Sequence, residues 1–292
     1  MAGLTHNLEY LATAAGVKLM QALSPSLADT FGASLGGLAH AVLTSRRRIA
    51  LDNLERAMGD SLSEEERRQI VRDVFRNTGR TLVEFARLGK TVRAGIGEII
   101  VGDGLEYLRQ VQSEGKGGIV VTAHFGSWEL FGAWVGTLGF PMDFVTGVQH
   151  NQKVDRLLTG FRKEIGVGLI SVAKGVRGVF KSLRANRLVG LISDQHAPSG
   201  VVVDFFSRRA STPKGPAAFA VRSGAPVLPF VMRRERPDRH VVMAGEPIYP
   251  PDSGDTDKDI ASVTAAYTKY FESCVRRYPD QWLWTHRRWK VD

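Results

Sequence analysis

The chain contains a single cysteine, Cys274, in 292 residues. A disulfide framework and any multi-cysteine metal site are thereby excluded, and the lone thiol, falling in a helical pattern near the end, is expected to be packing in a reducing compartment. No apolar run reaches the roughly 18 to 20 residues of a confident membrane-spanning helix. There is no G-x-x-x-x-G-K-[ST] and no strand-borne G-x-G-x-x-G, which argues against nucleotide-hydrolysing and dinucleotide chemistry. Acidic residues are in short supply: 39 Lys and Arg stand against 30 Asp and Glu, a formal charge of +9. That balance suits an anionic partner. The arginines are scattered without interleaved aromatics except between Trp282 and Lys290, so nucleic acid is not the expected one.

What is present is a globular composition, 43% hydrophobic, enough to bury one large core or two modest ones. Two helical segments open the chain. Leu4 to Leu23 carries His6, Glu9 and Lys18 among its apolar residues, Phe31 to Leu43 is apolar and glycine-rich, Pro25 lies between them, and Arg46-Arg47-Arg48 follows. Apolar surface and then a cationic cluster is the order of a hairpin lying on an anionic membrane face. The alternative is a pair of ordinary amphipathic helices packed on the domain. A cleaved signal peptide fits poorly, because no basic start precedes the first segment.

Ile49 to Met58 and Ser63 to Leu88 read as helices, the second opened by a capping signature, Ser63 with Glu66 three residues on. Beyond residue 96 strand-like runs recur at 97–101, 118–122, 140–145, 168–172, 188–193, 226–232 and 240–244, mostly with helical stretches between them. The expected architecture is α/β, with a mixed, largely parallel central sheet flanked by helices. Residues 1–45 are expected to form the membrane-associated segment and 46–292 a single α/β domain.

The most informative stretch is His124-Phe125-Gly126-Ser127-Trp128-Glu129. It follows the apolar strand 118–123, and the carboxyl ends of strands are where open α/β sheets place their chemistry. Gly126 permits a sharp turn and Ser127 is the expected N-cap of the next helix, which puts Glu129 in its first turn. There the carboxylate can reach back to the imidazole, so the pair reads as a general base and its orienting acid. Spacing alone proves little: with 30 acidic residues in 292 and seven histidines, a chance H-x4-[DE] match has roughly even odds. A second match, His150 to Asp155, does occur; with no strand before it and no glycine beside it, it is a decoy. Gly32-Ala33-Ser34-Leu35-Gly36 fits G-x-S-x-G but sits in a helical run, so it is no nucleophile elbow. Asp194, followed by Gln195 and His196, ends the run 188–193 and is a second carboxylate able to hold His124; its alternative is a turn cap.

These blocks, together with Arg46 to Leu54, Phe205-Phe206, Thr212 to Ala217, Ser223 to Pro229 and Pro279 to Lys290, resemble in order and spacing the bacterial lipid A biosynthesis acyltransferases, the late or secondary acyltransferases of the lysophospholipid-acyltransferase-like superfamily. The resemblance covers nearly the whole chain. It implies a glycerolipid-acyltransferase-like domain on the cytoplasmic face of the bacterial inner membrane, passing a fatty acyl chain from an acyl-carrier-protein or coenzyme A thioester to a hydroxyl of a glycolipid, with no metal or other cofactor. His124 is then the base, steadied by Glu129 or Asp194. Thioester attack generates an oxyanion that needs donors; Arg162 and Lys174 are candidates for that role or for sugar phosphates, and Gln195 for substrate binding. Pairs such as Arg208-Arg209 and Arg233-Arg234 are expected to be exposed and able to dock an acidic carrier. Where many members carry an Arg-Pro pair the chain has Gly147-Val148, so another glycolipid or an aminolipid remains open as acceptor. The rival of another class is a non-catalytic lipid-binding protein on the same fold.

Overall fold

The computed structural model describes residues 2–147, 150–172 and 175–290. Five helices come first: α1 (Ala2–Ala22), α2 (Pro25–Val42), α3 (Thr44–Met58), α4 (Glu64–Ala86) and α5 (Leu88–Arg93). The α/β part then runs β1 (Ile100–Gly102), α6 (Leu105–Ser113), β2 (Gly118–Thr122), α7 (Trp128–Thr137), β3 (Met142–Thr146), α8 (Gln152–Glu164), β4 (Gly168–Ser171), α9 (Gly175–Arg184) and β5 (Leu188–Ile192). It ends with β6 (Val201–Phe205), β7 (Arg208–Thr212), α10 (Gly215–Ser223), β8 (Val227–Arg236), β9 (Arg239–Ala244) and α11 (Thr256–Arg277).

Among the described residues, seven strands form one sheet in the order β1-β9-β8-β2-β5-β3-β4. Every neighbouring pair is parallel except the β8–β9 hairpin. The expected α/β class and largely parallel sheet are what the chain forms. β2 lies between β5 and β8 and is buried at every residue, which is why it reads as an uninterrupted apolar run: helices cover both faces. Its alternate side chains feed two cores, Ile119 and Val121 joining Phe75, Tyr267 and Trp282 on one face, Val120 joining Phe131, Trp134 and Leu228 on the other. Cys274 is buried in α11.

The capping signature of α4 forms as the spacing requires. The Glu66 amide donates to Ser63 Oγ at 3.3 Å and the Ser63 amide to Glu66 Oε2 at 2.7 Å. α2 packs on α4 through glycines: a Cβ at Gly36 would lie 2.1 Å from the Phe75 carbonyl oxygen, and one at Gly79 2.2 Å from that of Gly32. The G-x-S-x-G match is therefore a packing surface, its Ser34 hydroxyl spent on the Thr30 carbonyl. Since backbone, and not a pliable side chain, blocks the space, Gly36→Ala is expected to push α2 off α4 and destabilise the protein by about 1–3 kcal/mol. A denaturant midpoint that does not move would refute this account of the helix pair.

Some elements differ from expectation. Residues Ile96–Ile99 form a 3₁₀ turn, so β1 starts only at Ile100. The antiparallel hairpin β6–β7 is hidden in sequence because its two turn residues, Phe206 and Ser207, adopt φ +55° and +56° without a glycine or asparagine, the usual marks of such turns. Phe206 is held there by burial against Trp284 and by its amide, which donates to Glu272 Oε2 at 2.6 Å. Arg234 is buried instead of exposed, because it pairs with Glu84 of α4 and fastens that helix to the sheet. No helix among the described residues is long and apolar enough to cross a membrane.

Candidate active site

β2 ends at Thr122, and the chain turns back within four residues. Gly126 takes φ +54°, and a Cβ there would meet the Met232 carbonyl oxygen at 2.0 Å, so the turn is open only to glycine. The backbone donors of the turn are all engaged: Phe125, Gly126 and Ser127 donate to the carbonyls of Ala123, Gln281 and Met232. Thr81 Oγ1 donates to the Gly126 carbonyl at 2.8 Å and ties the turn to α4. Ser127 holds the N-cap position of α7, but its hydroxyl makes no cap hydrogen bond.

The turn leaves the His124 imidazole facing the end of β5. Because β5 is hydrogen-bonded beside β2, with Thr122 in register with Ile192, the residue after each strand pair comes together. Asp194 accepts from His124 twice, its Oδ1 lying 2.8 Å from Nδ1 and its Oδ2 2.8 Å from the backbone N, and it also accepts Trp282 Nε1–H at 2.8 Å. With Nδ1–H on the carboxylate, Nε2 is left as the acceptor nitrogen. The imidazole packs edge-on to Trp128, ring centroids 5.1 Å apart, and its side chain is still 23% exposed, enough to meet a substrate.

Burial by itself would lower the His124 pKa. The Asp194 charge and hydrogen bond, helped by the charge of Glu129, outweigh it and raise the pKa above the ordinary 6.5. Burial likewise acts to raise Asp194, but His124 and the Trp282 indole hold its carboxyl below the ordinary range.

Glu129, in the first turn of α7 as expected, does not touch the imidazole. Arg162 of α8 grips it through Nε at 3.1 Å and Nη2 at 2.5 Å, and stacks on Phe85, 5.0 Å from the ring centroid. Gln195 is half-buried beside Asp194. Lys174 and Val148 lie outside the described residues. His150 is exposed and edge-on to His6 of α1.

Sequence reasoning did not single out His286 of the C-terminal strap or Asn53 of α3, which fastens that strap. The half-buried His286 accepts the His196 amide on Nε2 at 3.1 Å, and burial brings its pKa down to about 4, so it is neutral. Buried Asn53 of α3 donates to the carbonyls of Trp284 and His286 at 2.7 and 2.6 Å, fastening the strap. The only hint in sequence was an asparagine in an otherwise apolar helical stripe.

Next to the dyad opens a cleft of about 430 Å³ between α2 and α4, walled by side chains such as Leu35, Ala39, Phe75 and Leu82 and reaching Trp128, Glu129 and Arg46 at its polar edge. An apolar trough with a histidine–carboxylate pair behind an indole at its end can hold an alkyl chain and place a reactive carbonyl near a base.

Comparison with known proteins gives a consistent picture. The family model for bacterial lipid A biosynthesis acyltransferase matches residues 4–291. The chain is 32% identical to the lipid A biosynthesis lauroyltransferase of Escherichia coli over 89% of its own length and 84% of that protein. It is 28% identical to the palmitoleoyltransferase of lipid A biosynthesis in the same organism, over 89% and 84%. It is 24% identical to the phosphatidylinositol mannoside acyltransferase of Mycolicibacterium smegmatis, over 97% and 91%.

Proposed function

Because the chain belongs to the bacterial lipid A biosynthesis acyltransferase family and is an acyltransferase, we propose that it transfers a fatty acyl chain from a carrier-protein thioester to a hydroxyl of a glycolipid, with His124 as general base. The observation that carries this reading is the His124–Asp194 pair packed behind Trp128, which lines an apolar cleft. The acceptor hydroxyl gives its proton to His124 Nε2 as its oxygen forms a bond to the thioester carbonyl carbon. The tetrahedral oxyanion then collapses, the C–S bond breaks, and the imidazolium returns the proton to the departing thiolate. Asp194 keeps Nδ1–H in place and stabilises the imidazolium while it exists. The amides of Phe125, Gly126 and Ser127 are spent, so the oxyanion is assigned to a side-chain cation, for which Arg162, aimed by Glu129, is the candidate among the described residues.

Relatives named for lipid A and for phosphatidylinositol mannosides support a glycolipid as acceptor. The chain is proposed to lie on the cytoplasmic face of the inner membrane. Exposed Leu8, Leu11 and Leu19 on α1, Leu27, Leu38 and Val42 on α2, and Leu82 beside the cleft offer the apolar surface for that contact. The net positive charge suits an acidic carrier, whose approach salt would screen.

The test is to incubate the detergent-solubilised chain with acyl-carrier-protein or coenzyme A thioesters and with lipid A precursors or inositol mannosides, and to weigh the lipids. One glycolipid should gain one acyl group, faster from the carrier protein, and that preference should shrink as salt is raised. Lipid binding without any product would favour the non-catalytic reading instead.

A further inference from the structure

The three consecutive arginines at the start of α3 go to three places. Arg47 Nη1 donates to the His40 carbonyl at 2.9 Å and closes the end of α2. Arg46 donates to the Thr285 carbonyl at 3.3 Å and lines the apolar cleft. Arg48 lines a separate polar cavity of about 250 Å³ with Asp52 and Arg56 of the same helix and with Arg287 and Trp289 of the strap. Residues 48, 52 and 56 are four apart and so share one face of the helix.

The cavity sets three guanidinium groups against one carboxylate, and Arg208 comes within reach as well, its Nε donating to the Arg56 carbonyl at 2.8 Å. Among the described residues, neither Arg48 nor Arg287 has an ion-pair partner. Two guanidinium groups that face one cavity, neither with an ion-pair partner among the described residues, repel one another, a cost that an anionic ligand removes. The frame is fixed: Asn53 holds the strap carbonyls on both sides of Thr285, so Arg287 projects from anchored backbone. Cleft and cavity are neighbours, since Arg46 and Thr285 border the first and Arg48 and Arg287, two residues on in each segment, border the second.

We propose that this cavity binds a phosphate ester carried by one of the two substrates, with Arg48 and Arg287 as its ligands. Guanidinium forks match phosphate oxygens in geometry and keep their charge at any relevant pH. That the phosphate arrives on a substrate rests on the acyl-transfer reading above; an amphiphile with its chain in the cleft would extend its head over Thr285 toward these arginines. Two sources share the chemistry: the phosphorylated sugar of a glycolipid acceptor and the phosphopantetheine arm of the thioester donor.

The test is isothermal titration of the full chain with glucosamine 1-phosphate and, separately, with 4′-phosphopantetheine, repeated on R48Q, R287Q and, as a remote exposed control, R109Q. At least one probe should bind saturably, weakened about tenfold or more in R48Q and in R287Q and unchanged in R109Q. Binding of the sugar phosphate alone assigns the cavity to the acceptor; binding of phosphopantetheine alone assigns it to the donor; binding of both leaves a general phosphate-ester site. Both substituted arginines are exposed, so the thermal midpoint should not change and lost binding is not lost folding. No saturable binding of either probe, or equal affinity in R48Q, R287Q and the unsubstituted chain, overturns the proposal. The titration involves no turnover, so a failure here is separate from a failure of acyl transfer.

Discussion

His124→Ala is expected to reduce acyl transfer by about 10²- to 10⁴-fold, the usual contribution of a positioned general base, whereas His150→Ala should keep most of the activity. Both histidines satisfy the same six-residue pattern, H-x4-[DE], so the comparison isolates position from spacing. His124 leaves the end of β2 and faces Asp194; His150 is exposed and sits edge-on to His6 of α1. Alanine at 124 also removes a ring from beside Trp128, which makes His124→Gln a useful second variant because it retains bulk and polarity. Initial rates with a carrier-protein thioester provide the readout. Similar rates for the variants at 124 and 150 would end the assignment of His124 as base.

Asp194→Asn is expected to lower the rate strongly and, more tellingly, to move the acid limb of the kcat/KM profile to lower pH. The sign follows from the two opposing influences on His124. The base works as neutral imidazole, so activity climbs as pH rises through its pKa. Asp194 raises that pKa above 6.5 against burial, which lowers it. Without the carboxylate charge burial prevails, the pKa falls, and the limb shifts down even as the maximum rate drops. Glu129→Gln should move the limb less, because Glu129 acts on the imidazole only through space and is itself neutralised by Arg162; its effect should show as a slower rate through a misplaced Arg162. A limb that stays in place in Asp194→Asn would mean that the carboxylate does not set the protonation of His124.

Much of the candidate site could be read along the chain. The strand 118–122, the turn glycine and the histidine at the strand end are local features, and β2 forms over the residues expected of it. The partner of the histidine was not readable. Two carboxylates, Glu129 and Asp194, were equally available by sequence, and the choice turns on which strand lies beside β2. Parallel pairing of β2 with β5 brings residue 194 to 124 across seventy positions, while the first turn of α7 aims Glu129 away from the ring toward α8. Asn53 and His286 were missed for the same reason: their meaning lies in a strap that returns from the far end of the chain.

By itself, the sequence determined the class of fold, the capping box of α4, the place of the strand-end turn and the family, since each is recorded in short-range periodicity, in single residues with special backbone freedom, or in the order of motifs. Only the tertiary structure decided which carboxylate meets His124, that α2 forms a wall of the cleft by glycine contact with α4, that Arg234 is buried, and that three successive arginines serve a helix end, a cleft rim and a polar cavity. Helical geometry turns successive residues about 100° apart, and pairing between distant strands is chosen by the packing of the whole sheet. Neither the direction a charged side chain finally takes nor the partner it meets is encoded in its neighbours along the chain.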